Sequence, residues 1–133
     1  MPVFLYIEDD LYSREVMKML LVDVLGFKHV TILEDSRDFE DKLIKMSPIP
    51  DIVFVDIHME PINGFEILEI IRRHNQFAAS QVIALTASVM NEEVRLLKEA
   101  GFNGAIAKPV DSDTFPETIR RIMSREEVWK IIA

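Results

Sequence analysis

Residues 51–66 read Asp51-Ile52-Val53-Phe54-Val55-Asp56-Ile57-His58-Met59-Glu60-Pro61-Ile62-Asn63-Gly64-Phe65-Glu66. Ile52 to Val55 are apolar at consecutive rather than alternate positions, the pattern of a strand buried on both faces in a parallel sheet covered by helices. Val3 to Ile7 and Val82 to Leu85 read the same way, and Val30 to Leu33 and Ala105 to Ala107 complete a set of five strands, the last weak by composition. Between the strands, apolar residues keep helical spacing: Val16, Met19, Leu20 and Val24; Phe39, Leu43 and Ile44; Ile67, Ile70 and Ile71; Met90, Val94 and Leu97; then Phe115, Ile119, Ile122 and Met123. Gly26 and Gly101 stand where helices end, Pro48 and Pro50 close the second helix, and Pro116 fits the first turn of the last helix if Ser112 or Asp113 caps it. The order is (βα)5, and a doubly wound five-stranded parallel sheet in an α/β domain is the natural way to bury it.

Composition narrows the function. The 133 residues suffice for one domain and its core, expected over residues 1–123, with residues 124–133 as a helical extension or continuation of the last helix. Ser124-Arg125-Glu126-Glu127 matches a capping box ahead of Val128, Trp129, Ile131 and Ile132. No apolar run approaches the ~18 residues of a membrane span, and Met1-Pro2-Val3-Phe4 lacks a basic signal-peptide region. A cytoplasmic protein without membrane contact is expected. The absence of cysteine removes disulfides and thiolate metal sites. A net charge of −8, with Arg72-Arg73 and Arg120-Arg121 as the only basic doublets, disfavours direct nucleic-acid binding.

In doubly wound sheets the chemistry gathers beyond the carboxyl ends of the strands. Strand one runs into Glu8-Asp9-Asp10, strand three ends at Asp56, strand four at Thr86 and strand five at Lys108-Pro109. Neighbouring strand ends lie about 5 Å apart, so these residues share one edge. Converging carboxylates from Glu8, Asp9 and Asp56 repel and call for a cation, and an all-oxygen donor set suits Mg²⁺. Such a metal can grip a phosphoryl oxygen while Lys108 neutralises a second and the Thr86 hydroxyl bonds a third. One carboxylate is then free to act as nucleophile. Asp56, ending the central buried strand, is the best placed.

The stretches Tyr6-Ile7-Glu8-Asp9-Asp10, Asp51 to Met59 leading to Asn63-Gly64-Phe65-Glu66, Ala84-Leu85-Thr86-Ala87 and Gly104 to Pro109 resemble, in order and spacing, the response-regulator receiver domains of two-component signal transduction. From Asp56 the threonine follows thirty positions later and the lysine fifty-two. The resemblance covers nearly the whole chain. It implies the flavodoxin-like strand order 2-1-3-4-5, phosphorylation on Asp56, direct Mg²⁺ ligation by Asp9, Glu8 acting through water, and a metal contact from the His58 backbone carbonyl, with Mn²⁺ as a substitute ion. Thr86 and Lys108 then form the phosphoryl-stabilising switch pair, Pro109 follows a cis bond, and His58 and Ser88 flank the phosphoryl group and tune its lifetime. The implied partners are a sensor histidine kinase or histidine phosphotransfer protein and a downstream protein. A homodimer through the face of the fourth helix, fifth strand and fifth helix is a further implication.

Three positions depart from the commonest receiver pattern. The acceptor loop has Met59-Glu60-Pro61 where many receivers have Met-Pro, Asn63 replaces a frequent Asp, and Ala105 stands where a Tyr or Phe switch residue is usual. Two rival readings are a phosphorylation-independent pseudo-receiver, which would be expected to lose acidic or lysine positions kept here, and a Mg²⁺-dependent phosphohydrolase, which often carries a second Asp where this chain has His58. A flavodoxin fits less well, because the loop after strand one is acidic. His29 and His74 need no functional role, and His74 suits a helix end.

Overall fold

The structure is a computed structural model that describes residues 1–87 and 90–130. Its strands are β1 (Val3–Ile7), β2 (His29–Leu33), β3 (Ile52–Asp56), β4 (Gln81–Thr86), β5 (Gly104–Ala107) and β6 (Val128–Lys130). Its helices are α1 (Leu11–Lys18), α2 (Phe39–Ile44), α3 (Gly64–Arg72), α4 (Asn91–Ala100) and α5 (Phe115–Met123). The strands form one parallel sheet in the order β2-β1-β3-β4-β5-β6.

Successive side chains of a strand point to opposite faces, and both faces are covered. Phe4, Tyr6, Phe54, Ile83 and Leu85 pack with Met17 and Leu20 and with Phe115 and Ile119 of α5. Leu5, Ile7, Val53, Val55 and Val82 pack with Leu43 of α2, Ile67 and Ile71 of α3 and Leu97 of α4. Every residue of β3 is buried, as its unbroken apolar run requires. Burial on this scale, at about 25 cal/mol per Å² of apolar surface, is what fixes the register of the sheet.

Local chemistry sets the element ends. Asp10 caps α1 by accepting from the Ser13 N–H at 2.9 Å. Beyond Lys18 the helix widens into a π-helical segment over Met19–Val24. Gly26 and Gly101 adopt φ of 76° and 106°, where a residue without Cβ is unstrained. Asn63 and Glu66 form a capping box at α3, the Asn63 side chain accepting from the Glu66 N–H at 3.0 Å and the Glu66 carboxylate from the Asn63 N–H at 3.1 Å. At α5 the cap is Thr114 rather than Ser112 or Asp113, and Pro116 lies in the first turn as expected. His74 Nε2 lies 2.7 Å from Glu40 Oε2, tying the end of α3 to α2.

Over the described residues 124–130 the expected helical extension is corrected to a turn and a short strand. Helix α5 stops at Met123; Arg125 takes φ 63°, and the Glu126 N–H donates to the Arg121 carbonyl at 3.0 Å. This left-handed ending turns the chain instead of opening a helix at Ser124. Val128–Lys130 then pairs in parallel with β5, Trp129 lying beside Ala105. The indole packs on the α2-α3-α4 side, 5.1 Å from Lys98 Nζ, so the small Ala105 is covered by the neighbouring strand. Ile131 and Ile132 lie outside the described residues.

Candidate functional site

The polar ends of β1, β3, β4 and β5 meet on one edge. The ladder carries each of them slightly past its strand: the Glu8 N–H donates to the Leu33 carbonyl at 3.1 Å, the Ile57 N–H to the Leu85 carbonyl at 3.1 Å, and the Lys108 N–H to the Thr86 carbonyl at 2.9 Å. Carboxylate oxygens of Glu8, Asp9 and Asp56 all lie within 4.8 Å of one another. Glu8 is fully buried, Asp56 is 4 % exposed and Asp9 faces solvent. Lys108 reaches over the sheet end to place Nζ 2.8 Å from Glu8 Oε1 and 3.6 Å from Asp56 Oδ1. Thr86 is buried at the end of β4. The Lys108–Pro109 peptide is cis.

Three neighbouring contacts hold the loops in place. The Arg14 guanidinium donates to the Glu8 carbonyl at 2.9 Å, anchoring the turn into α1. The His58 N–H donates to Asp56 Oδ1 at 3.3 Å, while the His58 side chain is exposed. Buried Ser36 accepts from the Ile62 N–H at 2.9 Å, joining the loop after β2 to the loop after β3. Gly64 is required here: a Cβ would stand 2.8 Å from Ile57 Cα and 3.0 Å from the Asp56 carbonyl oxygen.

The electrostatics follow from burial. Desolvation and then the neighbouring Glu8 push the Asp56 carboxyl up to about 7. Burial also opposes charge on Glu8, but hydrogen bonding with Asp56, Lys108 and Tyr6 outweighs it and holds Glu8 below the ordinary carboxylate range. Lys108 loses hydration by burial, yet Glu8 and Asp56 raise it above the usual lysine value. Burial and proximity thus drive the two carboxyl pKa values apart, Asp56 upward and Glu8 downward. A hard divalent cation relieves the same repulsion, and the exclusively oxygen-bearing donor set fits Mg²⁺.

A family profile described as the response regulator receiver domain matches residues 4–120. The chain belongs to that family. Chemotaxis protein CheY4 of Vibrio cholerae superposes on this receiver with a TM-score of 0.80 at 25 % identity, covering 92 % of this chain and 98 % of that one. The receiver domain of the sensor histidine kinase PA1611 from Pseudomonas aeruginosa, solved with a magnesium ion coordinated in its active site cleft, shares the fold with a TM-score of 0.78 at 22 % identity, covering 92 % and 98 % of the two chains. Stress response regulator protein 1 of Candida albicans strain WO-1 is 26 % identical over 108 residues, 81 % of this chain. The receiver spans only 38 % of the length of that relative.

Of the residues singled out in the sequence, Glu8, Asp9, Asp56, Thr86 and Lys108 gather at the β1-β3-β4-β5 edge, and the His58 backbone joins them. Ser88 lies outside the described residues. Sequence reasoning passed over Tyr6, a strand residue whose hydroxyl donates to Glu8 Oε1 at 2.7 Å, and Arg14. The signal for Tyr6 was a phenol in an otherwise hydrocarbon strand, since a buried O–H requires a partner.

Proposed function

We propose that the receiver accepts a phosphoryl group on Asp56 from the phosphohistidine of a kinase or phosphotransfer protein, and that phosphorylation shifts a two-state equilibrium read by a downstream protein. The observation that carries this reading is the meeting of Glu8, Asp9 and Asp56 within 4.8 Å, with the Lys108 ammonium 3.6 Å from Asp56 Oδ1. An Asp56 oxygen forms the new P–O bond as the donor's P–N bond breaks, its electron pair passing to the departing imidazole nitrogen. Lys108 supplies positive charge for the phosphoryl oxygens, and Thr86 offers a hydroxyl from the end of the adjacent strand. The ladder contacts of Glu8, Ile57 and Lys108 fix the backbone at these strand ends before transfer, so the reorganisation that accompanies the reaction is confined to side chains. Glu8, Asp9, Asp56 and the His58 carbonyl would hold Mg²⁺, which when bound supplies charge neutralisation and Lewis-acid stabilisation of a phosphoryl oxygen.

The pseudo-receiver reading is less favoured because the acidic cluster and its lysine are assembled and mutually oriented. Incubation with a small acyl-phosphate donor and Mg²⁺, followed by intact-mass measurement, tests the proposal. A phosphate-sized gain in the wild type and none in Asp56→Asn supports it; equal gains, or none in either protein, overturn it. Because β6 pairs along the outer edge of β5, the surface we assign to a downstream partner or a second copy of the chain is the α4-β5-α5 face with β6, not β5, as its edge strand.

A further inference from the structure

Tyr6 precedes Glu8 by two residues along β1, so both side chains leave the backbone on the same side. The ring is 1 % exposed, and its hydroxyl donates to Glu8 Oε1 at 2.7 Å. The Lys108 ammonium stands 2.8 Å from that same oxygen. One carboxylate oxygen therefore has two donors of different mobility. The phenol is fixed by the packing of its ring among core residues, whereas the ammonium rides on a flexible stem that borders a cavity of about 60 Å³ lined also by Tyr6, Ser13 and Pro109. The other oxygen, Oε2, accepts a long contact of 3.4 Å from the Asp10 N–H.

Resting on the reading of Asp56 as phospho-acceptor, a difficulty arises at Glu8. Phosphorylation draws Lys108 toward the phosphoryl oxygens and so removes one of the two donors on Glu8 Oε1. Glu8 is fully buried, and a buried carboxylate deprived of donors is costly. We propose that Tyr6 is a positioning residue that keeps Glu8 Oε1 hydrogen-bonded while Lys108 moves from Glu8 to the phosphoryl group. An aliphatic residue or phenylalanine at this place would leave Glu8 competing with the phosphoryl group for the lysine.

The test is Tyr6→Phe, which keeps the ring and removes the donor. Beryllium trifluoride, a phosphoryl mimic, and Mg²⁺ serve as probes in calorimetry on the full chain. The expected result is a Kd for beryllium trifluoride raised about tenfold, the loss of one hydrogen bond to a charged group, with the Mg²⁺ Kd measured alone changing by less than about twofold. Tyr6→Leu, which removes the ring as well as the hydroxyl, is expected to raise the beryllium trifluoride Kd by no more than about twofold beyond Tyr6→Phe. Unchanged affinity in Tyr6→Phe, with the wild type binding normally, overturns the positioning role. A loss confined to Tyr6→Leu also overturns it, since packing alone would act that way. A wild type that neither binds beryllium trifluoride nor gains phosphate overturns the acceptor reading and this inference with it.

Discussion

The Lys108 ammonium lies 2.8 Å from Glu8 Oε1 and 3.6 Å from Asp56 Oδ1, closer to the buried glutamate than to the residue proposed to accept phosphate. The lysine therefore offsets a pair of carboxyls, one of them sealed from water. Removing one member of a buried ion pair leaves the other uncompensated. Lys108→Met is expected to lower the unfolding free energy by about 3 kcal/mol in chelator, and Mg²⁺ is expected to restore part of the loss by taking over the neutralising charge. Urea denaturation with and without Mg²⁺ measures both effects.

Stability should also depend on pH in a direction set by Asp56. Its folded-state pKa is raised to about 7 by burial and by Glu8, well above its unfolded value of about 4. The native state therefore binds the proton more tightly, and the associated stability is present in acid and lost as pH rises through about 7. Glu8, lowered in the fold, is ionised in both states above about pH 5 and does not oppose this trend. Denaturation in chelator is expected to show lower stability at pH 8 than at pH 5, with a flattened profile in Asp56→Asn and in wild type saturated with Mg²⁺.

Asp9 is the exposed member of the acidic group, so the proposed cation role can be tested there without disturbing the core. Asp9→Asn is expected to raise the Mg²⁺ Kd by about tenfold or more, the scale seen when ligating shells are altered. It should leave the metal-free melting temperature unchanged or slightly higher, because a repulsive charge is gone. Calorimetric titration together with thermal unfolding separates the two readings.

The close approach of α3 to the loop after β3 depends on Gly64, where a Cβ would meet Ile57 Cα at 2.8 Å. Gly64→Ala is expected to push this loop away and destabilise the receiver by about 1–3 kcal/mol. The His58 backbone, held against Asp56, should move with it, so Mg²⁺ affinity should fall as well. Denaturation and Mg²⁺ titration of the same variant check the coupling.

At the other end of the sheet, Trp129 Nε1 is buried without a hydrogen-bond partner among the described residues, so its contribution comes from the ring. Trp129→Phe is expected to change stability by less than about 1 kcal/mol, and Trp129→Ala to cost about 3 kcal/mol. Equal losses in both variants would show that the indole N–H matters after all.

Much of this arrangement was legible in the sequence because the physics that creates it is local. Ile52 to Val55 and Val82 to Leu85 announce strands buried on both faces, and Glu8, Asp9, Asp56, Thr86 and Lys108 follow directly from where such strands end. Strand β6 was not legible. Three residues, Val128–Lys130, give too short a period to distinguish a strand from a helix turn, and Ser124 to Glu127 imitates a cap. The outcome is decided by Arg125 in a left-handed turn and by pairing with β5, the second a contact between segments distant in sequence. Tyr6 was hidden for a related reason: its apolar neighbours mark it as core, and its hydrogen bond to Glu8 appears only when the alternation of the strand is followed past its end.

The identity of the phosphorylated residue can be read chemically. The receiver is treated with a small acyl-phosphate donor and Mg²⁺, reduced with borohydride, which converts an aspartyl phosphate to homoserine, and mapped by peptide mass spectrometry. Homoserine at position 56, with both Glu8 and Asp9 left unreduced, is the expected result. Reduction at Asp9 or Glu8, or an unreduced Asp56 in protein that has gained phosphate, would contradict the account.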